Sequence, residues 1–255
     1  MTGIDISVVV RAYEDTVALN ATLTSVRRAI RHAEAEGRTV EGILVVSAPT
    51  AHMNRWVAEY LPEGWTCIEA PTSSTGAARQ AGIAATSGTC VGLVDEGDMW
   101  SATWLADAFT AARTSRQPTV WRPEIVLMVG SDYFDHRFYW TQFQSDTSVP
   151  SFDIRDLLAV EAYSSSFFAP RLLLDRVPFP LEDPARGWGC VDWWWTCNIA
   201  GAGYHHRTLP HSFHYRLVGL DGKPVARRPD IGSYRIGPTT LPQALSRERS
   251  AAAAG

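Results

Sequence analysis

The densest group of side chains able to do chemistry is Asp95-Glu96-Gly97-Asp98, which follows the apolar run Cys90 to Val94. Carboxylates at the end of a buried strand suit a divalent cation. The same four residues also read as a plain turn, with Asp98 capping the helix that follows. Four of the seven histidines fall at His205, His206, His211 and His214, a density that allows a metal ligand, with surface or hydrogen-bonded core imidazoles as the bland alternative. Ten tryptophans, with Trp193, Trp194 and Trp195 consecutive, point to a heavy aromatic core or to a surface that stacks flat apolar faces. Three successive residues cannot share one helix face, so at least one of these indoles belongs to the core. Cys67, Cys90, Cys190 and Cys197 form no C-x-x-C pair and read as buried thiols in a reducing compartment.

Hydrophobic periodicity shows what must hold these groups. Ile6 to Val10, Ile43 to Val46, Thr66 to Glu69 and Cys90 to Val94 are short runs typical of strands buried on both faces. Between them, helical spacing covers Thr16 to Glu36, where Gly37 ends it, then Ala51 to Tyr60 and Ala77 to Thr86. Alternating β and α elements mean a parallel sheet with helices on its faces. Ligands bind such sheets beyond the carboxyl ends of the strands, here at Tyr13-Glu14-Asp15, Ser47-Ala48-Pro49 and Asp95-Glu96-Gly97-Asp98. Beyond a helix near Thr103 to Ala112 and a strand over Val120 to Gly130, the segment Ser131 to Pro150 has no period. A helix near Ile154 to Val160 is expected next, then from Ser164 onward a strand, a short helix, a loop, a helix and a loop. Ser246 to Gly255, charged and then alanine-rich, reads as a frayed tail.

Composition removes several classes of function. At 255 residues, 45 % hydrophobic and 20 % charged, the chain is globular, with one large domain or two small ones. A net charge of −4 argues against nucleic acid or an anionic membrane as the main partner, although a local arginine cluster is still allowed. Only Lys223 among the 23 basic residues is lysine. The apolar runs are far too short for a membrane span, and the polar opening Met-Thr-Gly-Ile-Asp runs straight into a strand, so the expected address is cytoplasmic.

Three stretches carry a family resemblance. Ile6 to Glu14 resembles the first strand and Pro-x-Tyr-Asn turn of family 2 glycosyltransferases, with Arg11 and Glu14 in place of Pro and Asn. Gly76 to Trp100 is similar to that family's Ala-Arg-Asn-x-Gly helix followed by a strand that ends in aspartates and an aromatic. Phe179 to Glu182, Gly187 to Trp193, Gly203 and His214-Tyr215-Arg216 resemble its acceptor half, with a Glu-Asp-Trp motif and a terminal Tyr-Tyr-Arg. The order covers nearly the whole chain.

The resemblance implies an α/β GT-A fold: a Rossmann-like mixed sheet, mainly parallel, flanked by helices. It implies a single domain over 1–245, with a donor half to about residue 100 and a C-terminal acceptor-binding half after it, and a disordered tail over 246–255. The implied partners are a nucleotide-diphosphate sugar and a hydroxyl-bearing acceptor, a glycan or small-molecule glycoside. Ala12, Tyr13, Glu14, Arg79, Asp95, Glu96 and Arg216 would hold the donor, and Asp95, Asp98 and His214 a divalent metal, Mn or Mg. Asp192 would be the general base of an inverting transfer, with Glu182 or Asp183 as the alternative, and Trp188 and Trp193 would meet the acceptor. His214 and Arg216 are expected on a loop that closes over the nucleotide and is mobile without it. Two departures matter. Gly97 stands where the family carries its metal-binding second aspartate, so Asp98 or Glu96 substitutes, or Arg79 and another basic group carry the charge without a metal. Val46-Ser47-Ala48-Pro49 lacks the aspartates that meet the donor's base and ribose, which favours the rival reading of a non-catalytic sugar- or nucleotide-binding relative.

Overall fold

The computed structural model describes residues 3–13, 16–130, 138–218 and 235–246, the side chains at 138 and 139 excepted. Glu14 and the segment 247–255 therefore lie outside the described residues, and with them all but Ser246 of the tail expected over 246–255. The first half follows the sequence pattern closely. Strands β1 (Ile6–Ala12), β2 (Val40–Ser47), β3 (Thr66–Ala70) and β4 (Cys90–Asp95) alternate with helices α1 (Thr16–Ala35), α2 (Ala51–Tyr60) and α3 (Thr75–Ala84). Thr50 and Ser74 begin α2 and α3 by accepting Met53 N–H and Ala77 N–H, both at 3.1 Å. The second half comprises β5 (Asp98–Trp100), α4 (Trp104–Thr114), β6 (Thr119–Gly130), β7 (Phe138–Phe143), β8 (Phe167–Pro170), α5 (Arg171–Arg176), α6 (Val191–Gly201) and β9 (His205–Val218).

Among the described residues these strands form one nine-stranded sheet, ordered β3-β2-β1-β4-β8-β6-β9-β5, with β7 paired to β6. β1 runs parallel to β2 and β4, and β6 runs parallel to β9. β8 is antiparallel to β4, and β5 is antiparallel to β9. Side chains of a strand alternate between faces, so each central strand feeds two cores. Val8, Val10, Leu44 and Val94 join Leu19, Val26, Met53 and Trp104 from α1, α2 and α4. Val9, Val45, Val91 and Leu93 join Ile83, Leu173, Trp195 and Ile199 from α3, α5 and α6. This is a helix–sheet–helix arrangement, and each such aliphatic residue contributes about 1.5–3 kcal/mol on burial.

Two differences from the sequence reading bear on the site. The segment after α6, expected as a loop, is the 14-residue strand β9, so His214 and Arg216 sit within the sheet. Asp98 caps no helix; it opens β5 opposite Arg216 of β9. In addition, the helix expected over Ile154 to Val160 is a short 3-10 segment, Ile154–Leu158, and β7 falls inside the stretch without period. Among the described residues no helix is long and apolar enough to cross a membrane.

Candidate active site

Strand register builds the centre of the site. Arg11 of β1 and Asp95 of β4 are direct partners on adjacent strands, and Arg11 Nε donates to Asp95 Oδ1 at 2.8 Å. Arg79 reaches the same carboxylate from α3, with Nη2 donating to Asp95 Oδ2 at 2.5 Å. Gly82, one turn later, lets α3 lie close on the sheet; a Cβ there would come within 2.7 Å of Val9 and 2.6 Å of Val45. Arg79 also donates to Asp192 on the first turn of α6, from Nη1 to Oδ1 at 2.5 Å and from Nη2 to Oδ2 at 3.2 Å. The result is a continuous chain, Arg11 to Asp95 to Arg79 to Asp192. Along it the side-chain exposures are 6 % at Arg11, 10 % at Asp95, 1 % at Arg79 and 22 % at Asp192, so Asp192 is the end most open to solvent. Burial alone would weaken the charge on Arg79, but Asp192 and Asp95 outweigh it and hold the guanidinium above its usual range. Burial would raise Asp95, but Arg11 and Arg79 drive its carboxyl far below the usual carboxylate range.

A second pair lies at the next turn. Gly97, at φ +89°, supplies the left-handed conformation that reverses the chain between β4 and β5. Asp98 then accepts from Arg216 at both oxygens, from Nε at 2.6 Å and Nη2 at 2.7 Å, and Ser165 Oγ donates to its Oδ2 at 2.8 Å. Burial pulls the Arg216 guanidinium down, and Asp98 first among the neighbouring acids more than reverses this. Glu96 is buried and accepts Tyr13 N–H at 2.6 Å while its own N–H donates to the Arg11 carbonyl at 2.8 Å, which ties the ends of β1 and β4. Ala12 is core, and Arg79 is fully buried, so of the residues the resemblance assigned to the donor these two do not reach solvent.

A metal set of Asp95, Asp98 and His214 is not assembled. The His214 ring is edge-on to Trp104 at 4.5 Å and fully buried, and burial and then Arg216 push it down to about 3. Both aspartates are already taken by guanidinium groups, and among the described residues no three His, Cys, Asp or Glu side chains group as a metal site.

The aromatic assignments also resolve. Trp193 Nε1 donates to the Leu157 carbonyl at 2.6 Å, Trp194 Nε1 to Pro238 at 2.9 Å and Trp195 Nε1 to Val177 at 2.8 Å. Trp193 is therefore anchored beside Leu157 and Cys197, with only part of its surface open. Trp188 follows Gly187, meets Trp194 edge-on at 5.9 Å and carries the Arg186 guanidinium 4.9 Å from its ring centre. Glu182 accepts Thr75 N–H at 2.6 Å and Ser74 Oγ, so it holds the start of α3. Asp183 accepts Arg186 N–H at the 3-10 turn Pro184–Arg186.

Sequence reasoning missed Glu161, Ser165 and Arg122. Glu161 opens to solvent, yet crowding and then the Asp192 charge push its carboxyl up to about 7 against the pull of Arg216, Arg79 and Arg122. Its open face means the shift carries less energy than it would in a closed core. Arg122 is fully buried on β6, donates to the Ser164 carbonyl at 2.6 Å and is lowered to about 10 by burial. The Ser164-Ser165-Ser166 run before β8 was the available signal, since three buried hydroxyl residues need partners.

The sheet and its flanking helices define a GT-A-like Rossmann fold. Its candidate site is an arginine–aspartate network at the carboxyl ends of β1 and β4. Among solved structures the chain is similar to TarS of S. aureus. For the 1–349 fragment the TM-score is 0.58 at 17 % identity, covering 84 % of this chain and 60 % of that one. For the same fragment with UDP the values are 0.57, 16 %, 86 % and 62 %. With UDP-GlcNAc they are 0.59, 16 %, 95 % and 64 %, so the chain spans less than two thirds of these structures. No protein-family model matches the sequence. No curated protein matches it either.

Proposed function

We propose that the chain is an inverting glycosyltransferase that moves a sugar from a nucleotide-diphosphate donor to an acceptor hydroxyl in one displacement. The observation that carries this reading is the convergence of Asp95, Arg79 and Asp192 from β4, α3 and α6 at the strand ends of a GT-A-like fold. Similarity to structures holding UDP and UDP-GlcNAc supports the donor class. Asp192 is the base. Arg79 grips both of its oxygens, which fixes the carboxylate plane, and the side chain keeps 22 % of its surface open to an acceptor. The acceptor oxygen attacks the anomeric carbon opposite the leaving group as its proton passes to Asp192. The bond from that carbon to the diphosphate oxygen breaks, and the electron pair leaves with the diphosphate. Trp188, on its loop beside α6, meets the acceptor sugar together with the Arg186 guanidinium that lies over its ring.

Asp192→Asn keeps the shape and removes the base. Transfer is expected to fall by about 10² to 10⁴ with nucleotide binding retained. Near-wild-type turnover in that variant would place the base elsewhere. The rival, a non-catalytic binder of sugars or nucleotides, is favoured by the ion pair that engages both Asp192 oxygens and by Gly97; it requires donor binding with no product under any acceptor.

A further inference from the structure

We infer that the donor diphosphate is met by guanidinium groups, Arg216 first and Arg11 behind it, with no divalent ion taking part. This rests on the glycosyltransferase reading above. A leaving diphosphate gains negative charge, and a cation must face it. A metal would need carboxylates at the end of β4 that face it with no competing cation, and both aspartates there are paired with guanidinium groups. Asp95 is held by Arg11 and Arg79, Asp98 by Arg216 at both oxygens, and Glu96 by the Tyr13 N–H; Gly97 has no side chain to offer.

The pairing is built into the fold. Arg11 and Asp95 are register partners on β1 and β4, and Asp98 and Arg216 are register partners on β5 and β9. Backbone pairing therefore holds each arginine opposite its aspartate, and a metal ion entering at Asp98 would have to displace a bidentate guanidinium and then sit beside it, like charge against like. The arginines retain binding capacity. Among the described residues Arg216 bonds through Nε and Nη2 to Asp98 and Ser165 and not through Nη1, which gives Nη1 to an anion, and its side chain keeps 17 % of its surface open. Arg11 is buried, and its Nη1 has no hydrogen-bond partner among the described residues. A planar fork with spare N–H groups matches a phosphate oxygen pair.

The test is binding of nucleoside diphosphates (UDP, then GDP, ADP, CDP and dTDP) to the full chain by calorimetry, in EDTA and again in manganese. The expected result is one diphosphate bound with an affinity in EDTA within about twofold of that in manganese. Asp98→Asn should bind as well as wild type or better, because it frees Arg216. The double variant Asp98→Asn/Arg216→Gln removes both charges together and should lose about tenfold or more in affinity while its melting transition stays cooperative. Binding that needs manganese, or that Asp98→Asn abolishes, would overturn the metal-free assignment and leave the transferase reading standing. No binding of any diphosphate in either buffer would overturn both.

Discussion

Arg79 has 1 % of its side chain exposed and lies between two aspartates, so its charge is useful only while both are present. Removing one partner of a buried network leaves charges without compensation. Arg79→Met is expected to lower stability by about 3–5 kcal/mol in urea unfolding, whereas Arg155→Met, at an exposed pair with Asp153, should leave the unfolding midpoint nearly unchanged. Glu161 behaves differently. Folding raises its carboxyl from 4.5 to about 7, so the folded state binds that proton more tightly than the unfolded chain. Stability from this group is complete below about pH 4.5 and declines as pH rises toward 7. Glu161→Gln has no such loss, so its melting temperature should gain on wild type between pH 5 and pH 8; parallel curves would contradict the placement of Glu161 beside Asp192. Asp95 and Asp98 were legible as a strand-end carboxylate group, but their arginine partners were not. Arg11 and Arg216 are 84 and 118 positions away from the aspartates they bind, and only sheet register brings them together.

At the scale of elements, α6 is fixed from three sides by consecutive indoles that bond to carbonyls of Leu157, Pro238 and Val177. Trp195 is fully buried and stacks on Phe179 at 4.5 Å. Trp195→Ala should cost about 3–5 kcal/mol and loosen the helix that presents Asp192, which amide exchange across Val191–Gly201 would report. Trp195→Phe, which keeps most of the volume, should retain much of the stability. The tryptophan run was readable as partly core, but its anchoring role was not, because the acceptors are backbone carbonyls of distant segments. The early strands were legible because aliphatic residues fill both faces. β9 was not: its buried positions include His206, Ser212 and His214, so the alternation of faces is carried by polar side chains and leaves no hydrophobic period. Pro210 and the left-handed His211 further disguise it. That one missed strand is why His214 and Arg216 read as parts of a closing loop, when they are a buried ring and a sheet-borne cation.

Across the whole molecule, helices close both faces of the sheet around two separate cores, and the arginines and aspartates converge at strand ends between them. The net charge of −4 gives no long-range pull on an anionic donor, so affinity has to come from short-range contacts within this arginine-rich cluster. The central claim, that the chain binds a nucleotide-diphosphate sugar and transfers its sugar, is tested most directly by proton NMR of a mixture of donor, sugar acceptor panel and protein. The account expects one donor to be consumed with stoichiometric release of its nucleoside diphosphate and a product whose anomeric coupling shows inversion. A donor panel that is neither consumed nor bound, or a product that retains the donor's configuration, would contradict it.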